Sequence, residues 1–173
     1  MLWQRRGRWL GKTPHHLENL DALFEVLPDA RIVHTHRDPV RVVASSCSMM
    51  GHGRAVFSDR VDAREVGAQL ADRAVRAVTR AMALRERSGS ESFLDVAYAD
   101  ALADPLKQIR RIYDFLGFTL APATEAAMQH WIATNPQHRR GVHRYRLEDF
   151  GLDRSDLERR FEPYRSRFGV PVE

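Results

Sequence analysis

The stretch Ala30-Arg-Ile-Val-His-Thr-His-Arg-Asp-Pro39 has the pattern of a buried strand followed directly by a helix start. Residues 30–36 are rich in β-branched side chains and have the length of a strand. Asp38 and Pro39 then supply a helix N-cap and a proline at the first helical position, so we predict a helix over residues 40–50. Ligands of α/β sheets bind at the carboxyl ends of strands, where this turn would lie.

The rest of the chain alternates helices and strands. A second strand is predicted over residues 92–98, and residues 8–11 are compatible with a third. Helices are predicted over residues 14–27, 61–86, 105–116, 122–134 and 155–168, the last one from a capping-box spacing at its start. This order favours an α/β fold in which helices cover a small parallel sheet. Because there is no internal repeat or linker, we predict a single domain over residues 1–173.

The composition is that of a soluble globular protein. Hydrophobic residues make up 43% of the 173 residues and charged residues 29%. No apolar run approaches the roughly 20 residues of a membrane span, and no apolar region follows the N-terminal arginines as in a secretory signal. The only cysteine, Cys47, cannot form an internal disulfide, so we expect a reducing, cytoplasmic environment.

The net charge of +4 raises the question of nucleic-acid binding. The arginines are spread over nearly every segment and interleaved with Asp and Glu, which disfavours a dedicated nucleic-acid surface. A small anionic ligand explains the positive charge equally well. His34 and His36 share one face of the first strand and could ligate a metal, but no Cys or carboxylate stands at ligand spacing, so structural roles are favoured and no metal is expected.

The turn after the first strand carries the best candidate for an anion site. The strand delivers Arg37 to the edge of the sheet, beside the N-terminus of a helix, whose amides and dipole favour negative charge. Ser45 is four residues from Arg41 and therefore shares its helix face. An arginine fork and a hydroxyl at this point can form a phosphate site. The alternative is that Arg37 pairs with a nearby carboxylate and Ser45 is incidental.

Several segments together resemble a known family. They are Trp9-Leu-Gly-Lys-Thr-Pro-His-His-Leu-Glu-Asn-Leu20, the stretch from Pro28 to Ser45, Tyr98-Ala-Asp-Ala-Leu-Ala-Asp-Pro-Leu106, Arg111-Ile-Tyr-Asp-Phe-Leu-Gly117 and Gly141-Val-His-Arg-Tyr-Arg-Leu-Glu-Asp-Phe-Gly151. In this order they are similar to the bacterial-type branch of the sulfotransferases that depend on 3′-phosphoadenosine 5′-phosphosulfate. The resemblance spans roughly residues 8–168 and implies a P-loop-like three-layer sandwich.

The resemblance also implies roles for individual residues. Arg37 and Ser45 would bind the 3′-phosphate of the donor, and Tyr98 would lie near the adenine, although core packing at a strand end is an alternative for this tyrosine. Arg140, Gly141 and His143 would close over the same phosphate from the C-terminal side. Without the family, the basic turn around Arg140 would be interpreted as solvated.

Lys12 and His16 are the candidates for the chemistry of transfer. The family pattern is lysine, small residue, proline, any residue, histidine, and Lys12-Thr-Pro-His-His16 fits it, with His15 as the adjacent alternative. A histidine can take the proton of an acceptor hydroxyl, and a lysine can stabilise the charge that develops on the bridging oxygen.

One part of the family pattern is missing from this sequence. Family members carry a strand and a loop rich in Gly, Ser and Thr that holds the 5′-phosphosulfate, and no such segment occurs here. Gly11-Lys12-Thr13 lacks the glycine that a P-loop needs five positions earlier. We therefore expect an N-terminally truncated protein with an incomplete sheet, whose exposed edges could be covered by a second copy or a partner chain.

Three functions are compatible with these observations. The first is transfer of a sulfuryl group from 3′-phosphoadenosine 5′-phosphosulfate to a hydroxyl or amine of a small-molecule or carbohydrate acceptor, leaving adenosine 3′,5′-bisphosphate, with little activity expected from this fragment. The second is a non-catalytic remnant that binds 3′-phosphonucleotides. The third, less favoured, is an arginine-rich nucleic-acid-binding protein.

Overall fold

The computed structural model describes residues 7–137, 141 and 145–173. In chain order the elements are α1 (His15–Glu18), α2 (Leu20–Val26), β1 (Ile32–His36), α3 (Pro39–Ala55), α4 (Ala63–Ser88), β2 (Phe93–Ala97), α5 (Tyr98–Ala103), α6 (Pro105–Leu116), α7 (Pro122–Thr134), a 3-10 turn (Glu148–Phe150) and α8 (Arg154–Phe168). The fold class is α/β, as predicted.

The two strands form a parallel pair in which Ile32 lies opposite Phe93 and His36 opposite Ala97. Arg37 and Tyr98 follow this last pair of residues, so they lie next to each other at the same edge of the sheet. Residues 8–11 form no strand, so the third predicted strand is wrong. Within the described residues the sheet has two strands.

The turn after β1 starts a helix in the way that the sequence predicts. The Asp38 side chain, 1% exposed, accepts a hydrogen bond from the amide of Val40 at 3.1 Å, and Pro39 is the first helical residue. The predicted end near Gly51 is wrong, because α3 continues to Ala55. A glycine inside a helix lowers the stability of the helix by only about 1 kcal/mol relative to alanine. The packing of other α3 residues can therefore stabilise the helix beyond Gly51 and Gly53.

Two further predictions about local structure need correction. The helix predicted over residues 14–27 is broken at Asn19, whose backbone leaves the helical region and whose side chain donates to the carbonyl of His15 at 3.0 Å. Asparagine side chains compete with the backbone in this way and favour helix ends. Tyr98 begins the short helix α5 instead of ending β2.

The long helix α4 joins two apolar cores. One lies between α3, α4 and α8, and its most buried members are Val40, Val43, Cys47, Val66, Leu157 and Phe161. The other packs α2, α4 and β2 around Leu20, Ala81, Leu84 and Phe93. The N-cap of α8 is Asp153, which accepts from the amide of Asp156 at 2.8 Å, and not Ser155 as the capping-box spacing predicted.

Candidate functional site

Arg37 lies at the carboxyl end of β1 and binds a carboxylate. Its Nε donates to both carboxylate oxygens of Glu173 at 3.1 Å, and its Nη2 donates to one of them at 2.8 Å. Both side chains are about one third exposed, at 35% for Arg37 and 29% for Glu173. The guanidinium thus holds an anionic group in a two-oxygen fork, the geometry in which arginine also binds phosphate.

Tyr98 provides one wall of this site. The guanidinium carbon of Arg37 lies 4.3 Å from the centre of the Tyr98 ring, a cation–π contact. The hydroxyl of Tyr98 accepts a hydrogen bond from the side chain of Gln137 at 2.9 Å. The parallel register of β1 and β2 brings Arg37 and Tyr98, both predicted as site residues, together.

The C-terminal tail reaches the site from the end of α8. Gly169 ends α8 with a φ of 61°, a conformation that glycine adopts at little cost, and Val170 is then buried at 6% exposure. The amide of Glu173 donates to the second carboxylate oxygen of Asp38 at 3.1 Å. Glu173 is therefore held through its backbone by Asp38 and through its side chain by Arg37.

A pocket of about 210 Å³ lies beside these residues, between the start of α3 and the segment before the 3-10 turn. Its lining is Val40, Arg41, Ala44, Tyr145, Arg146, Leu147, Glu148 and Arg154. Tyr145, on the side of the pocket lining that comes from the segment before the 3-10 turn, lies near Arg37. Ser45 is exposed on α3, four residues after Arg41. The charge of Arg41 lowers the pKa of Glu173, which places the pocket near the Arg37 fork, although Arg37 and Glu173 do not line it.

A close helix–turn contact positions the segment that lines the pocket. A Cβ atom added to Gly67 of α4 would come within 2.2 Å of the carbonyl oxygen of Phe150. Only a glycine at this position lets the 3-10 turn lie directly against α4. The sequence gives no sign of this contact, because residues 67 and 150 are far apart in the chain.

Lys12 and His16 lie on a separate segment before α2. Lys12 is exposed, and the ring of His16 packs over Gly11, the residue preceding Lys12. The adjacent alternative, His15, contacts the guanidinium of Arg73 and lies 3.9 Å from a carboxylate oxygen of Glu18. Within the described residues, no hydrogen bond or ion pair joins Lys12 or His16 to Arg37.

The residues predicted to close over the phosphate fall largely outside the described part of the chain. Arg140 and His143 lie outside the described residues, and so does the basic turn around them. Gly141 is described and has a φ of 94°, in the left-handed region. The proposed roles of these three residues stay predictions.

A buried polar network stands behind the Arg37 turn. His36, 5% exposed, interacts through Nδ1 with the hydroxyl of Tyr164 and through Nε2 with Asp95, both at 2.8 Å. Arg85 donates to both oxygens of Asp95 at 2.7 and 2.8 Å, and its guanidinium carbon lies 4.5 Å from the centre of the Phe93 ring. The network ties β1, β2, α4 and α8 together at the strand ends.

The ionisation of this network follows from burial and pairing. Burial lowers the pKa of His36 despite the opposing hydrogen bond to Asp95. The neutral ring can therefore donate a hydrogen bond from Nε2 to Asp95 and accept one at Nδ1 from the Tyr164 hydroxyl. Burial would raise the pKa of Asp95, but hydrogen bonds from Arg85 and His36 outweigh it and lower this pKa to about 2. Burial also lowers the pKa of His34 to about 3.

In the structure, the carboxylate of Asp95 lies close to the two histidines of β1. Ligand atoms of His34, His36 and Asp95 lie within 4.8 Å of one another, a grouping that the sequence did not indicate because Asp95 comes from the other strand. Both nitrogens of His36 already have partners, and Arg85 binds both oxygens of Asp95. A cation there would face the positive charge of Arg85, so these residues fit a hydrogen-bond network better than a metal site.

Sequence reasoning identified Arg37 and Tyr98 at this edge but missed Glu173 and Tyr145. Glu173 comes from a distant part of the chain and carries no local motif, whereas Tyr145 lies in the segment from Gly141 to Gly151 that resembles the family but was given no role there. The alternative interpretation of Arg37, pairing with a nearby carboxylate, describes the contact that the structure contains. An aspartate N-cap next to an arginine was the only local signal that this turn gathers charged groups.

Comparison with known proteins identifies the family to which this chain belongs. The model of the sulfotransferase family matches residues 3–122. The crystal structure of sulfotransferase STF9 from Mycobacterium avium is similar over 96% of this chain, with 33% identity and a TM-score of 0.86. That of sulfotransferase STF1 from Mycobacterium tuberculosis H37Rv covers 90% of this chain, with 35% identity and a TM-score of 0.75. The chain therefore belongs to the sulfotransferase family.

The match covers only part of each solved relative. This chain spans 43% of the STF9 chain and 40% of the STF1 chain. A search of curated proteins found no match. In the described residues, no helix has the length and apolar character needed to cross a bilayer.

Proposed function

We propose that this chain supplies the 3′-phosphate-binding part of a sulfotransferase that uses 3′-phosphoadenosine 5′-phosphosulfate. Arg37 would bind the 3′-phosphate with Ser45, and Tyr98 would support both the guanidinium and the adenine end of the donor. Arg140, Gly141 and His143 would complete the phosphate contacts. The acceptor would be a hydroxyl or amine of a small molecule or carbohydrate, and the product nucleotide would be adenosine 3′,5′-bisphosphate.

The observation that supports the proposal most directly is the fork between Arg37 and Glu173. A guanidinium at the carboxyl end of a parallel strand, beside a helix N-terminus, already holds two anionic oxygens at 2.8–3.1 Å. A nearby pocket is lined by three further arginines, Arg41, Arg146 and Arg154, and by one carboxylate, Glu148, which lies 3.6 Å from Arg146. Both features favour an anionic ligand over a neutral one.

Calorimetry with adenosine 3′,5′-bisphosphate tests the binding step. Replacing Arg37 with alanine removes the fork, so we expect affinity to fall at least tenfold, the range of a lost charge-assisted contact. Arg159→Ala is the matched control, because Arg159 is 74% exposed and pairs with Asp156 on its own helix. Equal affinity of the two variants and the wild type would refute the assignment of Arg37.

Catalysis would depend on Lys12 and His16. When bound, the donor supplies the sulfuryl group. His16 would accept the proton of the acceptor hydroxyl, and Lys12 would stabilise the negative charge on the leaving phosphate oxygen. His15 is less suited to the proton transfer, because it contacts Arg73 and lies near Glu18.

The alternative is a protein that binds 3′-phosphonucleotides without turnover. It needs only the anion-binding fork of Arg37, and in the described residues no hydrogen bond or ion pair joins this fork to Lys12 or His16. Labelled donor and a panel of hydroxyl and amine acceptors distinguish the two functions. Binding without transfer supports the alternative, and transfer that is lost in His16→Ala supports the enzyme.

A second copy or a partner chain that covers the sheet edges stays a prediction, as does a cytoplasmic location. Analytical ultracentrifugation of the purified chain tests self-association directly. Nucleic-acid binding remains disfavoured, and a salt titration with duplex DNA would test it.

A further inference from the structure

We propose that Glu173 is an internal ligand of the Arg37 site, which an incoming phosphate must displace. The inference rests on the proposed function in one respect, since it takes Arg37 as the residue that binds the 3′-phosphate. Beyond that function, it assigns Glu173 a role in setting the affinity of the Arg37 site and the negative charge that a ligand needs in order to bind there.

The contacts of Glu173 reproduce those expected of a bound anion. Its two carboxylate oxygens accept three hydrogen bonds from Nε and Nη2 of Arg37. The hydrogen bond from Arg37 is the main cause of the lowered pKa of Glu173, and the charge of Arg41 lowers this pKa further. The carboxylate therefore lies in the field of two guanidinium groups at the strand end.

The segment that carries Glu173 is fixed at Val170 and makes few contacts in the residues that follow it. Val170 is buried, and its carbonyl accepts a hydrogen bond from Nε of Arg165 at 3.3 Å, which fixes the base of the tail. Residues 171–173 are exposed beyond this point. In the described part of the chain, the hydrogen bonds made by residues 171–173 are those of Glu173 with Arg37 and Asp38, so displacement of the carboxylate requires few contacts to break.

The charges favour displacement by a phosphate. The single negative charge of Glu173 neutralises Arg37, so a ligand must offer more than a carboxylate does in order to replace it. A phosphate monoester carries close to two negative charges at neutral pH and three acceptor oxygens. Glu173 thus weakens the binding of every anion at Arg37, and dianions compete with its carboxylate most effectively.

The test compares wild type with Glu173→Gln, which removes the charge and keeps the shape of the side chain. We expect Glu173→Gln to bind adenosine 3′,5′-bisphosphate roughly tenfold more tightly in calorimetry, since an internal ion pair no longer competes. Glu162→Gln is the matched control, because Glu162 is exposed on α8 and bonds to Ser166 on the same helix. Inorganic sulfate is the second probe, as it requires no recognition of a nucleotide.

A spectroscopic measurement follows the tail itself. The Glu173 amide donates to Asp38, so its NMR resonance should shift and its hydrogen exchange should accelerate when either probe binds to the wild type. Thermal unfolding of Glu173→Gln verifies that the variant is folded. An unmoved amide resonance at saturating nucleotide would overturn the proposal.

The remaining outcomes separate this proposal from the proposed function. If Glu173→Gln binds sulfate more tightly than wild type while neither protein binds the nucleotide, the proposed function fails and the internal-ligand proposal stands. If Glu173→Gln binds neither probe more tightly than wild type, or if Glu162→Gln gains as much, the internal-ligand proposal is wrong. Weaker binding by Glu173→Gln would mean that Glu173 positions Arg37, which also contradicts displacement.

Discussion

Replacement of His34 by leucine should reduce the loss of stability that this protein is expected to show in mild acid. The ring packs 4.1 Å from that of His36 and 5.8 Å from that of Phe168, centre to centre, and its Nδ1 is buried without a hydrogen-bond partner in the described residues. Burial is the main reason that its pKa falls to about 3, from 6.5 for an unperturbed histidine. Leucine has a similar volume and needs no hydrogen bond.

The sign and size of the effect follow from proton linkage. Below pH 6.5 the unfolded chain binds a proton at His34 that the folded protein excludes until about pH 3, so stability is highest above pH 6.5 and falls with pH across this window. At pH 5 the loss from this residue amounts to about 2 kcal/mol. His34→Leu should therefore lose about 2 kcal/mol less than wild type between pH 7.5 and pH 5.

Urea unfolding followed by circular dichroism at the two pH values measures this difference. At pH 7.5 we expect the variant to be as stable as the wild type within about 1 kcal/mol, since an unsatisfied buried nitrogen is removed. Thr35→Val is the control, because Thr35 is exposed on the same strand, and it should keep the acid sensitivity of the wild type. Equal losses for His34→Leu and wild type, within about 0.5 kcal/mol, would refute the reasoning.

Two further predictions concern contacts that hold the site in place. Gly67→Ala should lower the free energy of unfolding, measured with urea, by about 2–3 kcal/mol, because its Cβ would meet the backbone of the 3-10 turn. Gly53→Ala is the control, since Gly53 has open space around it in α3, and it should be neutral or slightly stabilising in the same assay. Asp95→Ala should cost about 2–3 kcal/mol, because it removes the carboxylate that pairs with the buried Arg85, while the 40% exposure of Asp95 lets water replace part of this contact. Asp114→Ala, on an exposed face of α6, is the control, and a similar small loss for both aspartate variants in thermal unfolding would contradict this account.

The sequence was most informative where local chemistry determines local structure. Asp38 and Pro39 predicted the start of α3, and Asp104 with Gly117 framed α6, in each case because capping and backbone conformation depend on a few adjacent residues. The strand over residues 32–36 was predicted within two residues at its start. These elements are sufficient to bring Arg37 to the edge of the sheet.

What the sequence did not predict depends on contacts between distant segments. Asp95 joins the strand histidines only because β2 pairs with β1 in one particular register. Glu173 reaches Arg37 across 136 positions of the chain, and no periodicity or motif marks it. The break at Asn19 arises from a side chain competing with helix hydrogen bonds, which helical spacing of the leucines does not reveal.

The in-register pairing of β1 with β2 has a consequence for how this protein can vary. Successive strand residues point to opposite sides, so inserting or deleting one residue in either strand would turn His36 away from Asp95 and separate Arg37 from Tyr98. Changes of length should therefore be tolerated in the connections around residues 57–62 and 89–92, which lie outside the strands and helices, and not in the strands. Diversification of this binding edge, in nature or by engineering, would have to proceed through substitutions at fixed spacing.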